Sequence, residues 1–142
     1  FCPSRKDGWG FDSMAQQSVP AQMAYWNEQV LVIPQCETVG ALENIETIVN
    51  MEGVDGIFVG PFDLSISMGI PGQFDHPDFV SSLERVQKAC KDAGKFCMIF
   101  AGNPAAVAER FRQGYDSVAY GLDAAVLAAA YKANVAEIRS KI

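Results

Sequence analysis

The sequence predicts an α/β fold built on a parallel sheet, and three observations support it. Strand-like apolar runs alternate four times with segments of helix length along the 142 residues. The runs are continuous rather than alternating, as is typical of strands buried on both faces of a sheet. Capping residues and glycines also fall where the helices of such a pattern should begin and end. Together these features indicate successive right-handed βαβ units.

The elements are predicted in the following order. Residues 1–12 form a loop, and a helix over 13–28 is interrupted by Pro20. Four strand–helix units follow, and the whole of 1–142 is expected to form a single domain in which 1–29 lead into the units at 30–142. The units comprise strand 30–35 with helix 39–51; strand 56–59, a long loop 60–77 and helix 78–93; strand 95–100 with helix 104–113; and strand 117–120 with a helix reaching the C-terminus.

Residues at the helix ends agree with this order. Asn103 is a capping residue, and it precedes Pro104, whose ring suits the first turn of a helix. Gly94 and Gly114 follow the predicted helices at the position where a left-handed backbone is often needed. The third unit is therefore bounded on both sides.

Composition excludes several classes of protein. Hydrophobic residues make up 49% of the chain and charged residues 20%, which is ordinary for a globular domain. The net charge of −6 argues against nucleic-acid binding, which normally uses a basic surface. No apolar run is long enough to span a membrane and no signal peptide is visible, so a cytoplasmic protein without membrane partners is expected. The four cysteines lack C-x-x-C spacing and are expected to be buried free thiols.

Two carboxylates follow two successive strand-like runs. Glu37 ends the first run, and Asp63 comes just after the second. If the segment between them is a crossover helix, the strands are parallel neighbours, and both side chains emerge at the same edge of the sheet. Ligands of α/β folds bind at this edge. A pair of carboxylates there predicts a site for a hard divalent cation, which prefers oxygen ligands.

Four βα units do not close a barrel, because a TIM barrel needs eight. Periodicity alone fits either a four-stranded open sheet or one half of such a barrel. A half-barrel would leave two parallel edges unpaired unless another chain or a missing half covered them. Since position 1 is Phe rather than Met, the chain is expected to be a fragment or a processed product.

The motifs decide between these architectures. The sequence Q-C-E-T at 35–38, followed by V-D-G-I-F-V-G-P-F-D-L-S at 54–65, closely resembles the HpcH/HpaI aldolase family. The resemblance runs from about Val30 to the C-terminus. It implies a (β/α)8 TIM barrel of the phosphoenolpyruvate/pyruvate type, of which this chain covers about the last four βα units.

The resemblance assigns the two carboxylates and a neighbouring amide. Glu37 and Asp63 match the family's metal ligands, and the implied cofactor is Mg²⁺, Mn²⁺ or Co²⁺. Gln35 matches a polar residue that lines the pyruvate pocket, and it is the one candidate for a catalytic role in this half. A helix-capping Asp63 and a solvent-exposed Glu37 are the alternatives without function.

Substrate-binding positions are implied in the same way. Gly60, Pro61 and Phe62 match the segment whose backbone amides hold the substrate carboxylate. Since proline lacks an N–H group, the donors are expected to be the other two residues together with Asp63. Phe100 matches a position in a hydrophobic wall, and a plain core aromatic is the alternative.

The implied activity is that of a class II, metal-dependent aldolase, a carbon–carbon lyase. It cleaves or forms 4-hydroxy-2-oxo acids through a metal-stabilised pyruvate enolate, with an aldehyde as the second substrate and a homo-oligomer as the expected assembly. The family's catalytic histidine, its aspartate partner and its arginine belong to the first barrel half. His76, the only histidine, is expected to be structural, and Arg5 is a candidate loop arginine. The chain is therefore expected to be incomplete for catalysis on its own.

Two rival interpretations stay open at this stage. The nearest is a CoA-thioester lyase of the citrate lyase β or malyl-CoA type, which shares a Glu and Asp metal pair on a related barrel. The other is a non-catalytic half-barrel that serves as an assembly subunit. Retention of Gln35, Glu37 and Asp63 counts against a degenerate remnant.

Overall fold

The computed structural model describes residues 18–142. The chain divides into two units after Val32, and helix α1 (Val19–Gln29) belongs to the first. Pro20 lies in the first turn of α1, where its missing N–H group would have no acceptor in any case. Pro20 therefore begins this helix rather than interrupting one, and Ser18 already has extended backbone angles. The predicted loop over 1–12 and the helix residues 13–17 lie outside the described residues.

The second unit, Ile33–Ile142, alternates four strands with helices. The strands pair side by side in chain order, and all pairs are parallel. This confirms the predicted α/β fold of four βα units, while the single-domain assignment of 1–142 stays a prediction. The elements are β1 (Gln35–Cys36), α2 (Val39–Glu43), α3 (Ile45–Val49), β2 (Gly56–Val59), α4 (Pro61–Ser67), α5 (Pro77–Asp92), β3 (Phe96–Ala101), α6 (Pro104–Arg112), β4 (Ser117–Tyr120) and α7 (Asp123–Arg139).

The first strand is much shorter than predicted. The strand expected over 30–35 is confined to Gln35–Cys36. Its ladder with β2 begins where the carbonyl of Pro34 accepts a hydrogen bond of 3.0 Å from the N–H of Phe58. Pro34 cannot donate to the ladder in return, because it lacks an N–H group. Residues 30–32 are apolar but exposed, so an apolar run alone did not define a strand here.

Two predictions about helices are also wrong in detail. The helix expected over 39–51 is divided in two at Asn44, whose side-chain amide donates 2.9 Å to the carbonyl of Gly40. Asparagine competes for backbone groups in this way and often ends a helix turn. The loop expected over 60–77 contains helix α4, which begins at Pro61 because proline suits the first turn.

One face of the sheet forms the core. Alternate strand residues point to this face and pack against α3 and α5, whose buried side chains include Val49 and Phe79. Cys36, Cys90 and Cys97 are buried and free, which confirms the thiol prediction for these three, whereas Cys2 lies outside the described residues. The strand residues of this cluster are Cys36, Ile57, Val59, Cys97, Ile99 and Val118.

The opposite face of the sheet is apolar but only half-buried among the described residues. The register aligns Gln35 with Phe58 and Phe58 with Met98, so these side chains share this face. The ring of Phe96 lies across Gly56, where an added Cβ would come within 2.7 Å of the ring and 2.6 Å of the Phe96 carbonyl oxygen. This face carries the residues of the candidate site.

Helix α7 is the longest helix of the described chain, and none of its residues is buried. Among residues 18–142, no helix has both the length and the apolar character that crossing a membrane requires.

Truncating the core should unfold the second unit more easily. Ile99 is fully buried in the centre of β3, so Ile99→Ala is expected to lower the free energy of unfolding by about 2–5 kcal/mol. Leu127→Ala, on the exposed face of α7, is the matched control and should change it by about 0.5 kcal/mol or less. Urea denaturation measures both, and equal effects would contradict the assignment of the core.

Candidate functional site

Gln35, Glu37 and Gly60 meet at the carboxyl edge of β1 and β2. The N–H of Gly60 donates to the carbonyl of Cys36 at 3.2 Å, which continues the ladder one step beyond the paired residues. Gln35 and Glu37 are two positions apart and therefore point to the same face of the sheet. A Cβ added to Gly60 would lie 2.8 Å from the side-chain nitrogen of Gln35 and 3.1 Å from a carboxylate oxygen of Glu37. The amide and the carboxylate are thus packed directly against Gly60.

Asp63 lies in the first turn of α4, immediately after the end of β2. Gly60 is the residue before this helix, and buried Pro61 occupies its first turn. An acidic side chain is favourable in the first turn because the N-terminal end of a helix carries partial positive charge. β1 and β2 are parallel neighbours, so the segments bearing Glu37 and Asp63 leave the sheet at the same edge. This is the placement that the sequence predicts.

The structure leaves fewer backbone N–H groups free for a substrate carboxylate than the sequence predicts, because one of the three expected donors already has an acceptor. The N–H of Gly60 already donates to the carbonyl of Cys36, and the N–H of Leu64 donates to the carbonyl of Gly60 at 2.9 Å. Pro61 has no N–H group. The donors left in this segment are the N–H groups of Phe62 and Asp63, which have no acceptor within the helix because they belong to its first turn.

Two aromatic side chains flank this edge. The ladder pairs Val59 with Ile99, so one further step aligns Gly60 with Phe100 on the face that carries Gln35. Phe100 is half-buried there, as a wall residue would be. Phe62 is 57% exposed at the start of α4, one residue before Asp63.

The hydroxyl of Ser67 links the two segments that carry the carboxylates, and the hydroxyl of Thr38 caps the first of them. The N–H of Val39, the first residue of α2, donates to the side-chain oxygen of Ser67 at 2.9 Å. Thr38 caps α2 by accepting from the N–H of Ala41 at 3.1 Å. Ser67 is not among the residues predicted from the sequence, because its place as the second serine of the string D-L-S-I-S carries no signal for a bond to Val39.

Within α4 itself, Ser65 is completely buried. Its hydroxyl donates to the carbonyl of Phe62 at 2.6 Å and accepts from the N–H of Gly72 at 2.9 Å. Ser65 therefore fixes the first turn of α4 against the segment that follows the helix.

The donor chemistry fits a hard divalent cation. Within the described part of the chain, no group of three or more His, Cys, Asp or Glu side chains is arranged to hold a metal. The protein would supply the two carboxylates of Glu37 and Asp63, and Mg²⁺ or Mn²⁺ commonly completes its coordination with water and substrate oxygens. Glu37 places a carboxylate oxygen beside Gly60 and Gln35 places its side-chain nitrogen there, and the missing Cβ of Gly60 leaves both side chains room. These residues suit the ion that the sequence implies.

The remaining candidates are placed elsewhere. His76 caps α5, with its ring nitrogen accepting from the N–H of Asp78 at 3.2 Å, which is the structural role predicted for it. Arg5 lies outside the described residues. A cavity of about 620 Å³ is lined by Lys91, Lys95 and Asp116, among others, at the amino ends of β3 and β4. It lies at the opposite end of the strands from Glu37 and Asp63, and neither carboxylate lines it.

The chain belongs to the HpcH/HpaI aldolase/citrate lyase family, whose model matches residues 5–130. The motifs at 35–38 and 54–65 therefore predict both the fold and the family correctly. The family contains aldolases and lyases, so the candidate site lies in a protein of the aldolase and lyase class.

Named relatives agree with this assignment. The 4-hydroxy-2-oxo-heptane-1,7-dioate aldolase of Shigella sonnei is 36% identical over 115 residues, which are 81% of this chain and 44% of that protein. The 2-keto-3-deoxy-L-rhamnonate aldolase of Klebsiella pneumoniae is 34% identical over 118 residues, which are 83% of this chain and 44% of that protein. The chain thus spans less than half the length of these curated relatives.

A solved structure gives the same picture. A HpcH/HpaI aldolase/citrate lyase family protein from Burkholderia cenocepacia superimposes with a TM-score of 0.72 at 34% identity. The match covers 95% of this chain and 50% of that one. The four βα units correspond to part of a larger α/β structure, in agreement with the predicted partial TIM barrel.

Replacing Gly60 should disturb the site more than the fold. The φ angle of Gly60 is −93°, which alanine adopts without strain, so the cost of Gly60→Ala falls on the neighbouring Gln35 and Glu37 side chains. We expect Mn²⁺ affinity to fall about tenfold or more, as when support around a metal ligand is lost. Isothermal titration measures it.

Gly40→Ala is the control for this substitution. The nearest atom to its added Cβ is 4.0 Å away, and alanine is the better helix former, so stability should rise or stay the same. Unchanged Mn²⁺ affinity in Gly60→Ala, with an unchanged fold, would contradict the placement of Gln35 and Glu37 around Gly60.

Proposed function

We propose that this chain provides the metal-binding half of a class II aldolase active site that cleaves or forms 4-hydroxy-2-oxo acids. The observation that carries the proposal is the convergence of Gln35 and Glu37 on Gly60, beside the helix that bears Asp63. Family membership supports the same chemistry at the level of aldolases and lyases. The substrates proposed are a 2-oxo acid such as pyruvate and an aldehyde.

Glu37 and Asp63 would hold the divalent ion, which we propose to be Mg²⁺, Mn²⁺ or Co²⁺. When bound, the ion supplies Lewis-acid stabilisation of the negative charge that develops on a 2-oxo acid as its C3 proton is lost. Gln35 presents its amide on the same side of Gly60 and is placed to orient a substrate oxygen, directly or through water. The protein carboxylates leave further positions on the ion for water and substrate.

Substrate orientation would depend on the start of α4. The N–H groups of Phe62 and Asp63 have no acceptor within the helix and are available to a substrate carboxylate. The rings of Phe62 and Phe100 would limit water near the reacting carbon, which strengthens electrostatic interactions there. Phe62 is the bulky member of the proposed binding segment, so we expect it to restrict the size of the substrate.

The proton transfers need groups from outside this half. The single histidine caps α5, and the chain spans 44% of its named aldolase relatives. We therefore propose that a complete active site forms only with the complementary barrel half. Assembly as a homo-oligomer and a cytoplasmic location stay predictions.

One alternative function is a CoA-thioester lyase, since the matching family includes citrate lyases as well as aldolases. The proposed metal ligands would be the same, so substrate tests must separate the two. A screen that pairs 4-hydroxy-2-oxo acids with CoA esters on a version carrying both barrel halves would do so. The non-catalytic half-barrel would turn over neither class.

Removing the charge of either carboxylate should weaken metal binding. We expect titration of Mn²⁺ into the wild-type chain to show binding that strengthens with pyruvate or oxalate. Glu37→Gln and Asp63→Asn keep side-chain size but remove the charge, and each should weaken binding about tenfold or more. Glu84→Gln, at an exposed position on α5, is the matched control. Wild-type affinity for Mn²⁺ in both site variants would contradict the assignment.

The isolated chain should bind the ion without efficient turnover. The expected result is cleavage of a 4-hydroxy-2-oxo acid far slower than that of a complete family member, because proton-transfer groups typically contribute factors of about 10²–10⁴. Coupled detection of released pyruvate measures it. Turnover by the 142-residue chain at the rate of a complete member would show that the site is self-sufficient.

A further inference from the structure

A side-chain hydrogen bond links the two segments that carry the candidate metal ligands beyond the end of the sheet. The N–H of Val39 donates to the hydroxyl oxygen of Ser67 at 2.9 Å, across 28 positions of sequence. Val39 is two residues after Glu37. Ser67 is four residues after Asp63 on α4, and positions four apart lie on the same face of a helix. The bond therefore joins the backbone near Glu37 to the face of α4 that carries Asp63.

The segments on either side of this bond have little regular structure to hold them. α2 contains five residues and α4 contains seven, and helices this short are not stable by themselves. The β1–β2 ladder ends at the bond from Gly60 to Cys36, so Glu37 lies just past it. The residue before Glu37 is thus fixed by the bond from Gly60 to Cys36, and the second residue after it is fixed by the bond from Val39 to Ser67.

The N–H of Val39 needs an external acceptor. It belongs to the first turn of α2, where N–H groups have no partner within the helix. The neighbouring cap does not serve it, because the oxygen of Thr38 accepts from Ala41 instead. Ser67 supplies the acceptor from another element, and this couples the position of α2 to that of α4.

We propose that Ser67 is a positioning residue that sets the separation of the Glu37 and Asp63 carboxylates. The proposal rests on the proposed function, in which these two groups share a divalent ion. Ser67 does not itself touch the ion or the substrate. Its hydroxyl fixes the α2 end of the Glu37 segment against α4, so that both carboxylates meet the ion in one geometry.

The test compares three substitutions in the 142-residue chain. Ser67→Ala removes the acceptor, Ser67→Thr retains a hydroxyl, and Ser81→Ala removes an exposed serine of α5 whose hydroxyl only donates to the carbonyl of Asp78. The first readout is the metal-free amide NMR spectrum with the hydrogen-exchange rate of Val39. The second is the affinity for Mn²⁺ with and without oxalate.

We expect Ser67→Ala to speed exchange at Val39 about two- to tenfold, the range that one hydrogen bond accounts for, and to shift the amide resonances of Glu37 and Asp63. Mn²⁺ affinity should fall about tenfold, as when a group that orients a metal ligand is lost. Ser67→Thr should restore both, and Ser81→Ala should change neither. Ser67→Cys, which nearly keeps the size of serine but accepts weakly, replaces Ser67→Ala if that variant does not fold.

The outcomes separate the two proposals. Faster exchange at Val39 with unchanged Mn²⁺ affinity would reduce Ser67 to a helix cap and overturn its positioning role. Unchanged resonances of Glu37 and Asp63 in Ser67→Ala would overturn it whether or not metal binds. If the wild-type chain binds no Mn²⁺ while those resonances still shift in Ser67→Ala, the positioning role stands and the proposed metal site of this chain fails.

Discussion

The register between β1 and β2 is the constraint on which the site depends. Cys36 pairs with Val59, and both side chains are buried on the core face. Slipping this pairing by one residue would send Cys36 out of the core and bring Gln35 and Glu37 into it. The apolar core therefore holds the polar side chains of β1 and the residue after it on the other face, although β1 is only two residues long.

Alternation along β1 also separates two kinds of ligand chemistry. Cys36 lies between Gln35 and Glu37, but its thiol points to the core, where burial raises its pKa to about 11. The thiol therefore stays protonated at neutral pH, and because it points into the core it does not share a face with the Glu37 carboxylate. The opposite face presents the amide of Gln35 and the carboxylate of Glu37, and carboxylate oxygens suit Mg²⁺ and Mn²⁺. In the proposed site, the strand would therefore present a hard carboxylate ligand while its thiol stays on the core face.

The face that carries the site explains why the chain should not act alone. Phe58, Met98 and Phe100 are half-buried on it, and parallel sheets normally have both faces covered. In the named relatives the matching region is 44% of the protein, so most of their length lies outside it. The opposite face is packed by α3 and α5, which gives this unit a core of its own. A half-barrel with such a core can hold metal ligands in place while depending on other residues for proton transfer.

The sequence by itself determined the class of the fold and the elements that bear the site. Four apolar runs with helices between them sufficed to predict the parallel sheet, and the parallel pairing of the first two strands placed Glu37 and Asp63 at one edge. The division of the helix at Asn44 depends on a side-chain hydrogen bond that competes with the backbone. The late start of β1 after Pro34 and the start of α4 at Pro61 follow from prolines, but the apolar pattern alone did not indicate either one. The bond between Val39 and Ser67 joins positions 28 apart, and neither residue carries a local signal for it. Periodicity reports which face of a segment is buried, whereas only the folded chain decides which distant groups become partners, since that depends on how the elements pack in three dimensions.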